Sequence, residues 1–253
     1  MLRQRPDGLP RAEVPTAFDG AASSYDRLVG ANPGYHRQLR LSAARLRLPG
    51  QGRGLRILDA GCGTGASTAA LLAVAPEAEI VAFDGSGQML DHARRKNFPS
   101  SVRFVHSTIE ALEPDLLGGR FDAVLAAYLI RNLGDPDAGL AKLHGLLQPG
   151  GRLAIHEYSV ADSALAKVVW NAVCWGVIIP AGRISTGDAS LYRHLRSSVN
   201  HFDGARAFRQ RLVRAGFTDV TAATMNGWQR GVAHTFLGTR RADGAVPDRG
   251  SAG

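Results

Sequence analysis

The stretch R-I-L-D-A-G-C-G-T-G-A-S-T, residues 56–68, decides the fold of this chain. An apolar run ends at Asp59, glycines follow at 61, 63 and 65, and a helix-forming run begins directly after them. Glycine permits a tight backbone turn and lets the chain approach a ligand without a Cβ in the way. The first turn of the next helix offers free N–H groups and partial positive charge. The stretch therefore predicts a strand, a ligand-binding loop and a helix.

Strand and helix signals alternate along most of the sequence, which predicts a parallel sheet with helices on both faces. The predicted strands are 55–60, 79–84, 102–107, 121–129, 152–159, 218–227 and 232–240. The predicted helices are 16–28, 35–48, 65–75, 86–96, 136–147 and 204–217, and 148–151 (Q-P-G-G) is a predicted turn. The fold class is α/β: a doubly wound, mostly parallel seven-stranded Rossmann-like sheet with an antiparallel edge hairpin.

Length and composition predict a single domain. The chain has 253 residues, 45% of them hydrophobic, which suits one sizeable core. The domain is expected over residues 14–241, with a helical lid at about 160–200 and mobile tails at 1–13 and 242–253. The apolar segment 164–180 contains Lys167 and Asn171 and is too short for a good membrane span. With no apolar signal core near the start and only two cysteines, the expected location is the cytoplasm.

The net charge of +8 raises the question of an anionic partner. Only three of the 30 basic residues are lysines, and the arginines are scattered rather than clustered. A compositional habit of the genome explains this pattern better than a nucleic-acid site does, since aromatic and basic residues do not interleave. No specific nucleic acid partner and no metal site are expected. A dimer, and weak peripheral attachment to the inner face of a membrane, stay open.

Two enzyme classes use a loop of this kind. Gly61, Gly63 and Ala66 satisfy the loose dinucleotide-binding fingerprint. The complete string L-D-A-G-C-G-T-G resembles more closely that of class I S-adenosyl-L-methionine (SAM) methyltransferases, whose product is S-adenosyl-L-homocysteine. Asp84 ends the next strand, where a carboxylate can accept hydrogen bonds from both ribose hydroxyls. The following Gly85 and Met89 complete a segment that methyltransferases show, with Met89 placed against adenine.

Residues 121–159 narrow the resemblance to one family. I-R-N-L-G-D (130–135) and L-Q-P-G-G-R (147–152) resemble segments of the UbiE/MenG C-methyltransferases of ubiquinone and menaquinone biosynthesis. F-D-G-A-A-S-S-Y-D (18–26) and the segment from Asp188 to Val220 extend the resemblance over most of the chain. It implies cofactor contacts at a set of positions: Tyr25, Asp59, Gly61, Gly63, Thr68, Asp84, Gly85, Met89, Thr108, Ile109 and Ala127. It places acceptor contacts at Tyr128, Arg131, Asn132, His156, Trp170 and Tyr192.

Three departures from the family pattern concern the ligands. Thr108 stands where the family often has Asp or Asn, and Val29 stands near the place of an asparagine. A-A-Y-L-I-R-N (126–132) replaces a segment in which quinone enzymes tend to have Ser and a Phe-Gly pair. The last two changes lie on the acceptor side, so they bear on the acceptor's identity more than on the reaction.

The expected chemistry is methyl transfer to carbon. A fixed cation near a ring oxygen stabilises the phenolate that forms during C-methylation. Arg131 is the candidate for this cation, and an ion pair with Asp135 or Asp137 is the alternative role. Tyr25 or water is the candidate proton relay. His156 is more readily explained as a satisfied core histidine. Trp170 and Trp175 either line an apolar lid over the acceptor or pack as ordinary core residues.

The leading functional hypothesis is C-methylation of a quinol or related aromatic acceptor, and a prenylated acceptor is one option. Three alternatives remain: an O-, N- or C-methyltransferase of secondary metabolism on the same scaffold, a non-catalytic SAM-binding relative, and a nucleic-acid-modifying protein.

Overall fold

The computed structural model describes residues 34–186 and 189–242. The predicted helix 16–28, Tyr25, the N-terminal tail and nearly all of the C-terminal tail lie outside the described residues. Helix 35–48 is present in a shorter form, as α1, Tyr35–Ala44. Its buried side chains recur at helical spacing, at Tyr35, Gln38, Leu39, Ser42 and Ala43, so one stripe of the helix packs on the sheet.

The described residues form one seven-stranded sheet, as predicted. Its strands are β1 Arg56–Ala60, β2 Glu79–Asp84, β3 Val102–His106, β4 Phe121–Ala127, β5 Leu147–Tyr158, β6 Phe217–Thr224 and β7 Ala233–Arg240. The spatial order is β3-β2-β1-β4-β5-β7-β6. The first five strands pair in parallel, and β7 is antiparallel to both β5 and β6. The carboxyl ends of β1, β2, β4 and β5 therefore meet at one edge, where sheets of this kind bind ligands.

Helices cover both faces of the sheet. They are α2 Ala66–Val74, α3 Gly87–Arg94, α4 Pro114–Leu117, α5 Pro136–Leu146, α6 Ala164–Val173, α7 Ile179–Thr186, α8 Ser190–Asn200 and α9 Ala205–Arg214. The helix α4 was not predicted, because Pro-Asp-Leu-Leu is too short to show helical periodicity. One apolar core lies on the α5–α9 face of the sheet, and another lies under α1 and α2.

Two of the differences from the predicted boundaries concern β4 and β5. β4 ends two residues earlier than expected, because Tyr128 turns the chain with a φ of 57°. The predicted Q-P-G-G turn is instead part of β5, which begins at Leu147. Phe121 pairs with Leu147 and Ala123 with Arg152, so the extra residues form a bulge, and Gly150 takes a φ of 81° to permit it.

The apolar segment that follows β5 is longer than predicted. A π-helical turn, Cys174–Ile178, joins α6 and α7 into one continuous helix. Ala164–Ile184, 21 residues long, is the one helix among the described residues that is long and apolar enough to cross a membrane, with a mean hydropathy of 1.6 over an 18-residue window. Only 22% of that window is buried. We call α6, α7 and α8, with the π-helical turn, the lid helices.

Candidate active site

The glycine loop is fixed to the end of β2 by backbone hydrogen bonds. The N–H groups of Gly61 and Cys62 both donate to the carbonyl oxygen of Phe83. The Gly63 N–H donates to Asp84 Oδ2 at 2.8 Å. Gly63 has a φ of 54°, and a Cβ there would meet no atom within 4 Å. The loop therefore presents bare backbone to an open space bordered by Asp84.

Asp59 lies under this loop as a buried carboxylate with one oxygen unused. Its Oδ2 accepts hydrogen bonds from the hydroxyls of Ser67 at 2.8 Å and Thr68 at 2.6 Å. Its Oδ1 is buried and has no hydrogen-bond partner among the described residues. Burial raises the pKa of Asp59 to about 7, although the two hydroxyls oppose the shift. A cationic group at the loop would satisfy Oδ1 and stabilise the ionised form.

The remaining residues expected to contact the cofactor follow the strand ends. Asp84 Oδ1 accepts the Ser86 N–H at 2.8 Å, and Ser86 caps α3 through the N–H of Met89. Met89 is buried, Thr108 is exposed, and Ile109 packs into the core. The hydroxyl of Thr68 is directed to Asp59, so its role in the structure is to hold that carboxylate.

Arg131 pairs with a residue that was not foreseen as its partner. Asp135 caps α5 by accepting the N–H groups of Asp137 and Ala138, and Asp137 pairs with Arg211. The predicted ion pair of Arg131 with either aspartate is therefore wrong. Arg131 Nη1 instead contacts Glu157 Oε1 at 2.5 Å, with both side chains buried. Burial raises the pKa of Glu157, although the guanidinium opposes that shift.

Tyr128 contacts both the Arg131–Asn132 segment and His156 of β5. Its carbonyl oxygen accepts from Arg131 Nη1 at 3.1 Å and from Asn132 Nδ2 at 3.0 Å. Its hydroxyl oxygen lies 2.9 Å from Nε2 of His156. The left-handed φ of this non-glycine residue is strained, and such strain is concentrated at functional sites. The arrangement brings Tyr128, Arg131, Asn132 and His156 together at the ends of β4 and β5.

An aromatic row extends from Tyr128 into the lid helices. Its ring stacks on Tyr35 at 6.0 Å and packs on Tyr158 at 4.8 Å, and Tyr158 packs on Trp170 at 4.7 Å. Trp170 is fully buried, which matches the core-packing alternative for this residue. Tyr192 also lies in the lid core, whereas Trp175 is 55% exposed. Tyr158 and Tyr35 were missed, because no local sequence signal links them to Tyr128.

His156 is a satisfied core histidine. It is fully buried between Tyr128 and the Ser42 hydroxyl, which lies 2.9 Å from its Nδ1. Burial lowers its pKa to about 3, and the positive charges of Arg45 and Arg131 act in the same direction. The imidazole is therefore neutral at physiological pH and is not a general base of ordinary strength.

These residues fit SAM better than a dinucleotide. SAM carries an ammonium group on its amino-acid end, which suits the unused oxygen of buried Asp59. A pyrophosphate at this loop would place negative charge beside buried Asp59, which would be repulsive. Asp84 stands at the end of β2 beside the glycine loop, where a carboxylate can accept hydrogen bonds from ribose hydroxyls.

Comparisons with known proteins agree with this geometry. The model of the ubiE/COQ5 methyltransferase family matches residues 8–240. A ubiquinone/menaquinone biosynthesis C-methyltransferase UbiE of Rhizobium johnstonii is 30% identical over 90% of this chain and 93% of its own. A protein of the same name from Methylobacterium nodulans is 31% identical over 86% of this chain and 87% of its own.

Solved structures share the fold at lower identity. Magnesium protoporphyrin IX methyltransferase from Synechocystis PCC 6803, with bound S-adenosylhomocysteine, superposes with a TM-score of 0.64 at 17% identity, over 91% of this chain and 99% of that one. The [4+2]-cyclase SpnF superposes with a TM-score of 0.67 at 17% identity, over 94% and 98%. The chain, an enzyme whose methyl donor is SAM, belongs to the ubiE/COQ5 methyltransferase family.

Proposed function

We propose that the protein transfers a methyl group to a ring carbon of a quinol or a related phenol. The relatives from Rhizobium johnstonii and Methylobacterium nodulans carry names that specify C-methylation in quinone biosynthesis. The site supports the same chemistry, because it places a buried guanidinium and an aromatic row together at the carboxyl end of β4.

One observation carries the proposal. Arg131 Nε and Asn132 Oδ1, on adjacent residues, are buried and have no hydrogen-bond partner among the described residues. The first is a donor and the second an acceptor. A ring hydroxyl both donates and accepts, so it could satisfy both atoms. Because a buried polar atom without a partner costs about 1–3 kcal/mol, a ligand that satisfies both gains affinity.

The proposed reaction needs an ionised or hydrogen-bonded ring oxygen. As the hydroxyl proton is shared with Asn132 or water, the adjacent ring carbon gains electron density and attacks the methyl carbon. A C–C bond forms, the S–CH₃ bond breaks with its electron pair on sulfur, and the ring carbon then loses its hydrogen as a proton. Arg131 stabilises the negative charge on the ring oxygen during attack, and the aromatic row excludes water.

Product analysis tests the proposal. The full chain is incubated with methyl-labelled SAM and a geranyl-substituted 1,4-hydroquinone, and the product is examined by mass spectrometry and NMR. A new ring C–CH₃ group is expected. A methyl group found only on oxygen would contradict the proposal and favour the secondary-metabolite alternative. Firm SAM binding without transfer to a panel of quinols and phenols would favour a non-catalytic role.

We also propose that the protein works at an anionic membrane surface, where prenylated quinols reside. Helix 164–184 exposes an almost wholly apolar face. The large apolar side chains that this helix exposes are Leu165, Val168, Trp175, Val177 and Ile184. The segment has no acidic residue, and its two charges are Lys167 and Arg183. An apolar face flanked by cations suits insertion at the headgroup level of anionic lipid.

A further inference from the structure

Two fully buried side chains beside the lid helices carry polar atoms without a partner. Trp170 Nε1 and both polar side-chain atoms of Gln229, Nε2 and Oε1, have no hydrogen-bond partner among the described residues. Both residues are 0% exposed. Buried polar groups are normally paired, and each one left unpaired lowers the stability of the folded state. The protein therefore keeps two donor groups and one acceptor atom unsatisfied in an otherwise apolar region.

Both side chains border the same apolar cluster. Trp170 belongs to this cluster together with Val232. Gln229 lies three residues before Val232 in the β6–β7 connection, and its carbonyl oxygen accepts the Val232 N–H at 2.9 Å. In the same connection, a Cβ on Gly231 would lie 3.9 Å from that of Ala166 in α6. Ala166 is one helical turn before Trp170, so the β6–β7 connection packs against the stripe of α6 that carries Trp170.

This cluster continues into the residues that surround the proposed reacting oxygen. The Trp170 ring lies 4.7 Å from the ring of Tyr158. The guanidinium carbon of Arg131 lies 5.8 Å from the centre of the same Tyr158 ring. The Val232 carbonyl oxygen accepts the N–H of Ser159, the residue after Tyr158, at 2.9 Å. An acceptor ring that packs along Tyr158 can therefore present one substituent to Arg131 and another to the unpaired groups.

The unpaired atoms become accessible when the lid helices lift, because Trp170 and Gln229 are fully buried in the closed form. Trp170 lies on helix 164–184, of whose 18-residue window only 22% is buried. The buried side chains of α6 are Ala166 and Trp170. Elements with few buried apolar contacts open at low cost in free energy. Lifting α6 would thus expose the indole N–H and the amide to an incoming ring.

The unpaired atoms match an oxygen substituent. The indole N–H and the amide Nε2 donate, so they require an acceptor, whereas the amide Oε1 requires a donor. A hydroxyl group supplies both, an ether or carbonyl oxygen supplies only the acceptor, and an alkyl group supplies neither. A cationic substituent fits less well, since it would leave the two donor groups unpaired.

We propose that Gln229 and Trp170 bind a second oxygen substituent of the methyl acceptor, away from the oxygen that Arg131 stabilises. Acceptor rings with this oxygen are selected, because a ring without it leaves three buried atoms unpaired in the complex. The assignment rests on the proposed function for the reacting oxygen. Gln229 and Trp170 determine specificity, since they contact the acceptor at a distance from the reacting carbon.

Thermal unfolding tests the unpaired amide without any ligand. Gln229→Met keeps the length of the side chain and removes both polar atoms, so Tm should rise by about 2–4 °C. Gln210→Met, at an exposed position on α9, is the control for the exchange itself and should leave Tm nearly unchanged. An unchanged or lower Tm in Gln229→Met would show that the amide is satisfied in the free protein, which contradicts the proposal.

Binding of matched ligands tests recognition itself. The wild type is saturated with S-adenosylhomocysteine, so that no transfer occurs, and titrated by calorimetry with 2-geranyl-1,4-hydroquinone, 2-geranyl-4-methoxyphenol and 2-geranyl-4-ethylphenol. Each compound should bind about tenfold more weakly than the one before it, because each loses hydrogen bonds to the buried atoms. In Gln229→Met the first two compounds should bind alike, within about twofold, because Oε1 is gone. In Trp170→Phe the difference between the last two should narrow.

The results distinguish this proposal from the proposed function. Equal affinity of the wild type for the three compounds, no binding of any of them, or an unchanged preference in Gln229→Met would overturn the second binding point. A wild type that binds the compounds in the expected order but transfers methyl to none of them counts against the proposed function alone.

Discussion

At the scale of single residues, the main feature of the site is a pair of buried charged side chains. Arg131 and Glu157 form a buried ion pair at the end of β4. Removing one partner of such a pair leaves an uncompensated buried charge, which is more damaging than removing both. The pairing was not predictable from sequence, because the two residues are 26 positions apart and meet only through the parallel register of β4 and β5.

Variants of this ion pair separate the contribution of Arg131 to folding stability from its contribution to methyl transfer. Arg131→Met should destabilise the fold by about 3–5 kcal/mol, because Glu157 is left buried and unpaired. Arg131→Met with Glu157→Gln should recover most of that loss but not the methyl transfer. Denaturant unfolding and turnover measure the two effects. Arg53→Ala, which breaks an exposed ion pair with Glu77, is the control for an ordinary arginine loss. Recovery of activity in the double variant would show that Arg131 is not needed for the reaction.

Asp59 gives a prediction about pH. Its pKa of about 7 means that it is largely protonated in the free protein below that pH. If the ammonium group of SAM pairs with its carboxylate, binding requires the proton to leave. SAM affinity should then fall as the pH falls below 7, by up to about tenfold per unit. Calorimetry between pH 5.5 and 8 measures this. Asp59→Asn should bind SAM weakly with little pH dependence, and a flat profile in the wild type would refute the contact.

At the scale of elements, the lid helices are held together by close packing at one glycine. A Cβ on Gly182 in α7 would overlap the ring of Tyr192 in α8, at 2.1 Å from its Cδ2. Gly176 in the π-helical turn has open space at the same position. The two glycines therefore differ in whether a side chain fits, although both lie in the helical segment 164–184. Nothing in the local sequence distinguishes them.

The two glycines make a matched pair of variants. Gly182→Ala should push α7 and α8 apart and destabilise the protein by about 1–3 kcal/mol, as overpacked cores do. Gly176→Ala should be neutral or slightly stabilising, since alanine favours the helical state. Thermal unfolding and the rate of proteolysis between the lid helices report the difference. Equal effects from both substitutions would contradict the packing described for Tyr192.

At the scale of the whole molecule, regular patterns predicted the fold well and the site in part. The alternation of strands and helices predicted the seven-stranded sheet, because the hydrophobic period of each element reflects the burial of one of its faces. The glycine loop and Asp84 were predictable because they are adjacent in sequence to strand ends. The hydrogen bonds that join Thr235, Ser42, His156 and Tyr128 were not, since these residues come from β7, α1, β5 and the end of β4 and meet only in the folded protein. The hydrogen bond from the Thr68 hydroxyl to Asp59 was likewise not predicted.

The exposed apolar helix gives a prediction for the molecule as a whole. The wild type should sediment with vesicles that contain anionic lipid, and the emission of Trp175 should shift to shorter wavelength on binding. A Leu165→Ser, Val177→Ser double variant should lose most of this binding, because it removes apolar area from the inserted face. Leu116→Ser, at another exposed apolar residue, is the control. Binding that survives the double variant unchanged would place the contact elsewhere.

The Arg131–Glu157 pair also separates two responses to ionic strength. The protein carries a net charge of +8, so its encounter with an anionic surface should weaken as salt screens the attraction. The buried pair is shielded from solvent, so salt does not screen its action at the reacting centre. It also spares the cationic sulfonium of SAM from an uncompensated positive neighbour. Salt should therefore change how often the protein reaches its acceptor and leave the methyl-transfer step itself nearly constant.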